Sequence, residues 1–140
     1  MAKRVLRSGH LLLKAKKYNL HSNIHEGACV VSGEYTCTRT APISAVDIEA
    51  DVSRAVASLR DVTLKEGGIV GHIKAFIGSE SASVMISSTG KALTTRPMGK
   101  WPQAMLTCYT ISIAAIVFKL PLQFLENHLL SELDILSQNI

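Results

Sequence analysis

Two runs of alternating character, Gly68 to Ile77 and Ala82 to Ser88, flank the short polar stretch Gly78, Ser79, Glu80, Ser81. Side chains along a strand point to opposite faces in turn, so this spacing predicts a β-hairpin. Setting Ile77 opposite Ala82 places Ile73, Ala75, Ile77, Ala82, Val84 and Ile86 on one face. The other face then carries Val70, His72, Lys74 and Phe76 beside Ser83, Met85, Ser87 and Thr89, with Ser87 opposite His72. A face so uniformly aliphatic has to be covered, and helices are the natural cover; the second face can meet water.

The flanking segments supply the remaining elements. His10 to Lys17 alternates in part and is expected to be a strand, as is Cys29 to Thr38, with a tight turn or bulge where Ser32 and Gly33 interrupt it. Ser44 is placed to cap a helix, with Asp47 in the capping-box position. Ile48, Val52, Ala55, Val56 and Leu59 then recur at helical spacing, and the helix is expected to end near Asp61 and no later than Gly67 and Gly68. Gly90, Pro97, Gly99 and Pro102 punctuate an expected loop. Pro102 to Phe118, apolar nearly all round, is expected to be a central helix, broken by Pro121 from a second one marked by Leu122, Leu125, Leu129, Leu133 and Leu136. The expected architecture is a single α+β domain over residues 1–140, an antiparallel sheet with helices on one face in the order β-β-α-β-β-α-α. The apolar surplus of the two last helices points to self-association as a homo-oligomer.

With 47% apolar and 19% charged residues, the chain has material for a core without metals or disulfides. Three cysteines, Cys29, Cys37 and Cys108, cannot all pair within one chain, and Leu11 to Leu13 is too short for the core of a signal peptide. A reducing, cytoplasmic setting is the expectation. Ala104 to Phe118 is too short and too rich in hydroxyls to cross a bilayer, so no membrane partner is expected.

The formal net charge is only +4, but Lys3, Arg4, Arg7, Lys14, Lys16 and Lys17 all precede the first acid, Glu26. Such a cluster suits nucleic acid, anionic lipid or an acidic partner, and a plain solvated surface carries the same composition. His72 and Lys74, with Ser83 and Ser87 across the hairpin and Lys91 just beyond it, form the candidate anion- or ligand-binding set. No carboxylate is placed to orient His72, so no hydrolytic triad assembles locally. Ser87 to Lys91 resembles a phosphate loop only loosely, because Met85 and Ala92 stand where a Walker motif needs glycine and a hydroxyl. Lys91, Arg96, Lys100 and Trp101 make a second basic candidate surface. His21, His25, Cys29 and Cys37 have ligand chemistry for zinc, yet no close cysteine pair, and neither a metal nor a cofactor is expected.

Three function classes are therefore open. The first is a non-catalytic, self-associating module that binds an anionic ligand, nucleic acid or acidic protein. The second is a small enzyme with a pocket at a subunit boundary, using His72 as acid or base and Lys74 to hold an oxyanion. The third is an assembly subunit that docks through its C-terminal helices.

Overall fold

The computed structural model describes residues 9–138. The elements are α1 (Gly9–Lys17), β1 (His21–His25), β2 (Ala28–Ser44), α2 (Ala45–Lys65), β3 (Ile69–Gly78), β4 (Ala82–Ser88), β5 (Thr94–Gly99), a 3-10 turn (Trp101–Gln103), β6 (Met105–Phe118) and α3 (Leu122–Gln138). The strands form one antiparallel sheet of six in the order β1-β2-β6-β3-β4-β5. The α+β class, the antiparallel sheet and the helices packed on one of its faces are as expected; the element order is α-β-β-α-β-β-β-β-α.

The hairpin forms, and its aliphatic face is the one α2 covers: Ile73, Ala75, Ile77, Val84 and Ile86 are buried in the same cluster as Ile48, Val52, Ala55, Val56 and Leu59. Its register differs from the expectation by two positions. Ile77 lies opposite Val84 and Lys74 opposite Ser87, which leaves His72 without Ser87 as its partner. A slip of two keeps every side chain on its face, so the face assignment holds from His72 to Ser87. Val70 is the exception: the register of β3 on β6 shifts between Val70 and His72, which turns Val70, expected on the open face, into the core beside Val117.

The largest correction concerns residues 105–118, which are a strand, not a helix. Tyr109, Ile111, Ile113, Ala115 and Val117 are buried at period two under the helices, while Thr110, Ser112, Ala114 and Ile116 alternate onto the far face. The segment is rich in apolar residues because it is central, paired along β2 on one side and β3 on the other. Its β-branched residues fit that pleated environment. With this segment in the sheet, the expected surplus of exposed helix surface is gone: α3 buries Leu125, Leu129, Leu130, Leu133 and Leu136.

Smaller differences have local causes. Residues 9–17 are helical instead of a strand, and α1 is held to α3 because Lys14 pairs with Asp134 while the Tyr18 hydroxyl donates to the same carboxylate at 2.5 Å. β2 runs straight through Ser32 and Gly33. Gly33 is there for close packing, since a Cβ on it would stand 2.7 Å from Leu133 Cδ1. The irregularity in β2 falls later, between Thr38 and Ile43. Ser44 occupies the N-cap position of α2 without a side-chain cap bond, and α2 continues past Asp61 to Lys65 before Gly67 takes a φ of +81°. The expected loop after β4 contains β5, an edge strand that tolerates Pro97. Among the described residues, no helix is long and apolar enough to cross a membrane.

Candidate functional site

The sheet has two unlike faces, and the one opposite the helices gathers side chains from every strand. Following the pairing across the sheet, one row reads His21, Ser32, Ala114, Lys74, Ser87, Thr94. The next row reads Glu34, Ser112, Phe76, Met85, Arg96, and beyond it lie Thr36, Thr110, Gly78, Ser83 and Met98. His72 stands opposite Ile116 on the same side. No helix among the described residues covers this face, and Phe76 remains 37% exposed and Met98 59%.

Two depressions lie in it, sharing Lys74, Phe76 and Met85 as a common ridge. The larger, toward β5, has a volume of about 500 Å³ and is lined by His72, Lys74, Ser83, Ser87, Thr94 and Arg96, over the apolar Phe76, Met85 and Met98. None of the described residues lining it is acidic. The smaller, toward β1, measures about 320 Å³ and includes Glu34, Asn19, His21 and Ser112. Glu34 there accepts from Asn19 Nδ2 and from Ser112 Oγ, each at 3.3 Å.

Among the described residues, none forms an ion pair with either cation of the larger groove. Ion pairs among the described residues run through Lys14, Arg54, Arg60 and His128, none through Lys74 or Arg96. Two cations in one groove with hydroxyl donors, and no ion-pair partner among the described residues, make a field that attracts an anion. The apolar ridge beside them supplies surface whose burial would add to the affinity.

The sequence-derived candidates divide accordingly. His72, Lys74, Ser83 and Ser87 come together in the groove, while Lys91 does not: it lies past β4 on the helix side, where its carbonyl accepts from Arg60 Nη1 and Ser88 Oγ. Lys3, Arg4 and Arg7 lie outside the described residues. Lys14, Lys16 and Lys17 are on α1, away from the groove, with Lys14 engaged by Asp134 and Lys17 set over the Tyr18 ring. The second basic surface does not assemble as one patch. Trp101 is buried, its Nε1 donating to Glu49, whereas Arg96 belongs to the groove. Phe76 was already placed on this face by the hairpin alternation, but the part of Thr94 and Arg96 in the groove was hidden because β5 reads as a loop; the Thr-Thr-Arg run preceding Pro97 was the available signal.

Cys29 and Cys37 sit on one strand eight residues apart, about 27 Å at the strand rise, and cannot share a ligand. The Cys29 Sγ donates to the Leu120 carbonyl at 3.1 Å and burial pushes its thiol up. Among the described residues, no group of three or more His, Cys, Asp or Glu converges to hold a metal.

One further polar constellation was missed because its members are distant in sequence. Between α2 and α3, Ser58 Oγ lies 3.0 Å from His128 Nε2 and donates to Glu132 Oε1 at 2.8 Å, and Arg54 Nη1 donates to Glu132 Oε2 at 2.9 Å. The residue types match a hydrolytic set, but the arrangement does not. Glu132 lies 3.7 Å from the same Nε2 that meets Ser58, whereas a triad acid orients the ring through its other nitrogen. Ser58 is also mid-helix, where backbone N–H groups are used by the helix itself and offer no oxyanion donors. The cluster ties two helices together around a buried carboxylate.

No protein-family model matches the chain, and no curated protein does. Among solved structures, the zinc-bound YjiA GTPase from E. coli is similar at 11% identity, with 91% of this chain covering 35% of that one at a TM-score of 0.39. A zinc-bound triple mutant of YjiA GTPase gives 14% identity, 71% and 28% coverage and a TM-score of 0.37. The chain spans about a third of the length of those chains, and a likeness this slight carries no argument.

Proposed function

We propose that the protein is a binding module whose open sheet face takes an anionic ligand. One observation carries the reading: Lys74 and Arg96, without an ion-pair partner among the described residues, stand beside His72 and the hydroxyls of Ser83, Ser87 and Thr94 in a groove of about 500 Å³. That volume lies within the usual range for small-molecule sites, and a mostly apolar floor with a few convergent polar groups is their usual make-up. The catalytic alternative has less to support it, because no carboxylate lines the groove to orient His72 or take its proton. The cysteines among the described residues are all unpaired thiols, which fits a reducing compartment such as the cytoplasm.

The test is calorimetric titration with inorganic phosphate and pyrophosphate at low and high salt. Binding should weaken as salt rises and be lost when Lys74 and Arg96 are both replaced by Ala. Anions that give no heat at either salt concentration, or a double variant that binds as well as the parent, would remove the proposal.

A further inference from the structure

The uncharged part of the groove narrows the ligand class. Phe76 is not packed among helices but lies along the open face, its ring folded over Gly78: a Cβ on Gly78 would stand 2.7 Å from Phe76 Cε1 and 3.4 Å from Cζ. Glycine at this position lets the ring lie down against the strand, and its outward side is then a flat apolar platform of the kind on which planar heterocycles stack. Met85 is its direct cross-strand neighbour and Met98 lines the same groove, adding soft, adaptable contacts at the rim.

The cations stand at a fitting separation from that platform. Lys74 is two residues along β3 from Phe76 on the same face, about 7 Å at the strand rise, and Arg96 lies in the Phe76 row with only Met85 between. A base on Phe76 would place a phosphate attached through one sugar between Lys74 and Arg96, with Ser87 and Thr94 as hydroxyl donors. The opposite side of the ridge is chemically different. There Glu34 occupies the Phe76 row, and its carboxylate would repel a phosphodiester chain continuing across the face. The site therefore suits one nucleotide and not a strand.

We infer that the groove binds a phosphorylated planar heterocycle of mononucleotide size, the heterocycle on Phe76 and the phosphate between Lys74 and Arg96. This rests on the anion-binding reading and adds the stacking half of the site. The experiment compares four probes on the full chain: inorganic phosphate, ribose 5-phosphate, adenosine 5′-monophosphate and a single-stranded decanucleotide. Adenosine monophosphate should bind about tenfold more tightly than ribose 5-phosphate, the gain expected of one stacked base. Phe76→Leu should erase that preference and leave ribose 5-phosphate unchanged, Gly78→Ala should reduce it by lifting the ring, and Phe76→Tyr should preserve it.

Equal affinities for the two monophosphates would overturn the stacking inference and leave the anion site standing. No binding of any phosphate would overturn both. A decanucleotide held far more tightly than adenosine monophosphate would replace the mononucleotide with a strand, and the inference would fail on that account.

Discussion

Ile77 and Phe76 are neighbours in β3, yet they belong to different chemical worlds. Ile77 is fully buried under α2, within a continuous aliphatic layer, while Phe76 lies on the uncovered side beside Lys74 and Arg96. The polar groups of the two sides differ as sharply. On the helix side, Glu132 is satisfied by Arg54 and Ser58, Asp134 by Lys14 and Tyr18, and Trp101 by Glu49. On the open side the cations of the larger groove have no such partners. Polar groups that complete one another within the protein hold the fold together; polar groups left with unmet capacity are the ones available to something outside it.

The contrast can be broken most directly at Ile77. Ile77→Ala should lower the unfolding free energy by about 3 kcal/mol, as large-to-small changes in a closed core do, whereas Phe76→Ala should cost less than half of that. Denaturant unfolding of the two variants measures both, and equal losses would mean that the Phe76 ring is part of the core. The polar layer between α2 and α3 comes next. Glu132→Ala removes the shared acceptor of Arg54 and Ser58 and should cost about 2 kcal/mol, with phosphate affinity unaltered. A loss of binding there would show the two sides to be coupled.

Replacing Lys74 and Arg96 together by Ala should change stability by no more than about 0.5 kcal/mol, since both are exposed and neither is paired. A large drop in melting temperature would instead assign them a structural role. The smallest effect is expected at Asp134. Burial tends to raise its pKa, but hydrogen bonds from Lys14 and Tyr18 together with the Lys14 charge outweigh that and hold it below the ordinary aspartate range. A carboxyl with a depressed folded pKa stabilises above its unfolded value, and that contribution is lost as pH falls through the folded value. Melting temperatures of the parent and of Asp134→Asn should accordingly differ at neutral pH and converge only as pH falls below the ordinary aspartate range.

Tyr109 marks the alkaline counterpart of this logic on the helix side. Desolvation, then its hydrogen bond with Cys37, pushes its phenol up to about 12, so the folded state favours the neutral form. Stability from this group is complete below the ordinary tyrosine range and declines as pH rises from there toward 12.

What was legible in the chain followed from local periodicity. From His72 onward the β3–β4 alternation told which residues face the helices, because a two-residue slip in register cannot move a side chain across the sheet; Val70 was misplaced because the irregularity before His72 flips the alternation. The leucine spacing after Pro121 likewise specified α3 and its buried side. Residues 105–118 were misread because a central strand flanked on both edges can be apolar on both faces, and composition then hides the period-two pattern that Tyr109, Ile111, Ile113, Ala115 and Val117 do carry. β5 was missed for the opposite reason: an exposed edge strand has no buried face to impress a pattern on the sequence.

The groove depended on both kinds of information. His72, Lys74, Ser83 and Ser87 could be placed on one face from the hairpin alone, since the alternation of a strand is a property of the backbone. That Arg96 and Thr94 complete the groove, that Lys91 is not among its lining, and that Ser58 meets His128 and Glu132 were decided only by tertiary structure. Those contacts join residues from elements whose relative positions are set by the pairing of the whole sheet and the packing of α2 against α3, which no short stretch of sequence encodes.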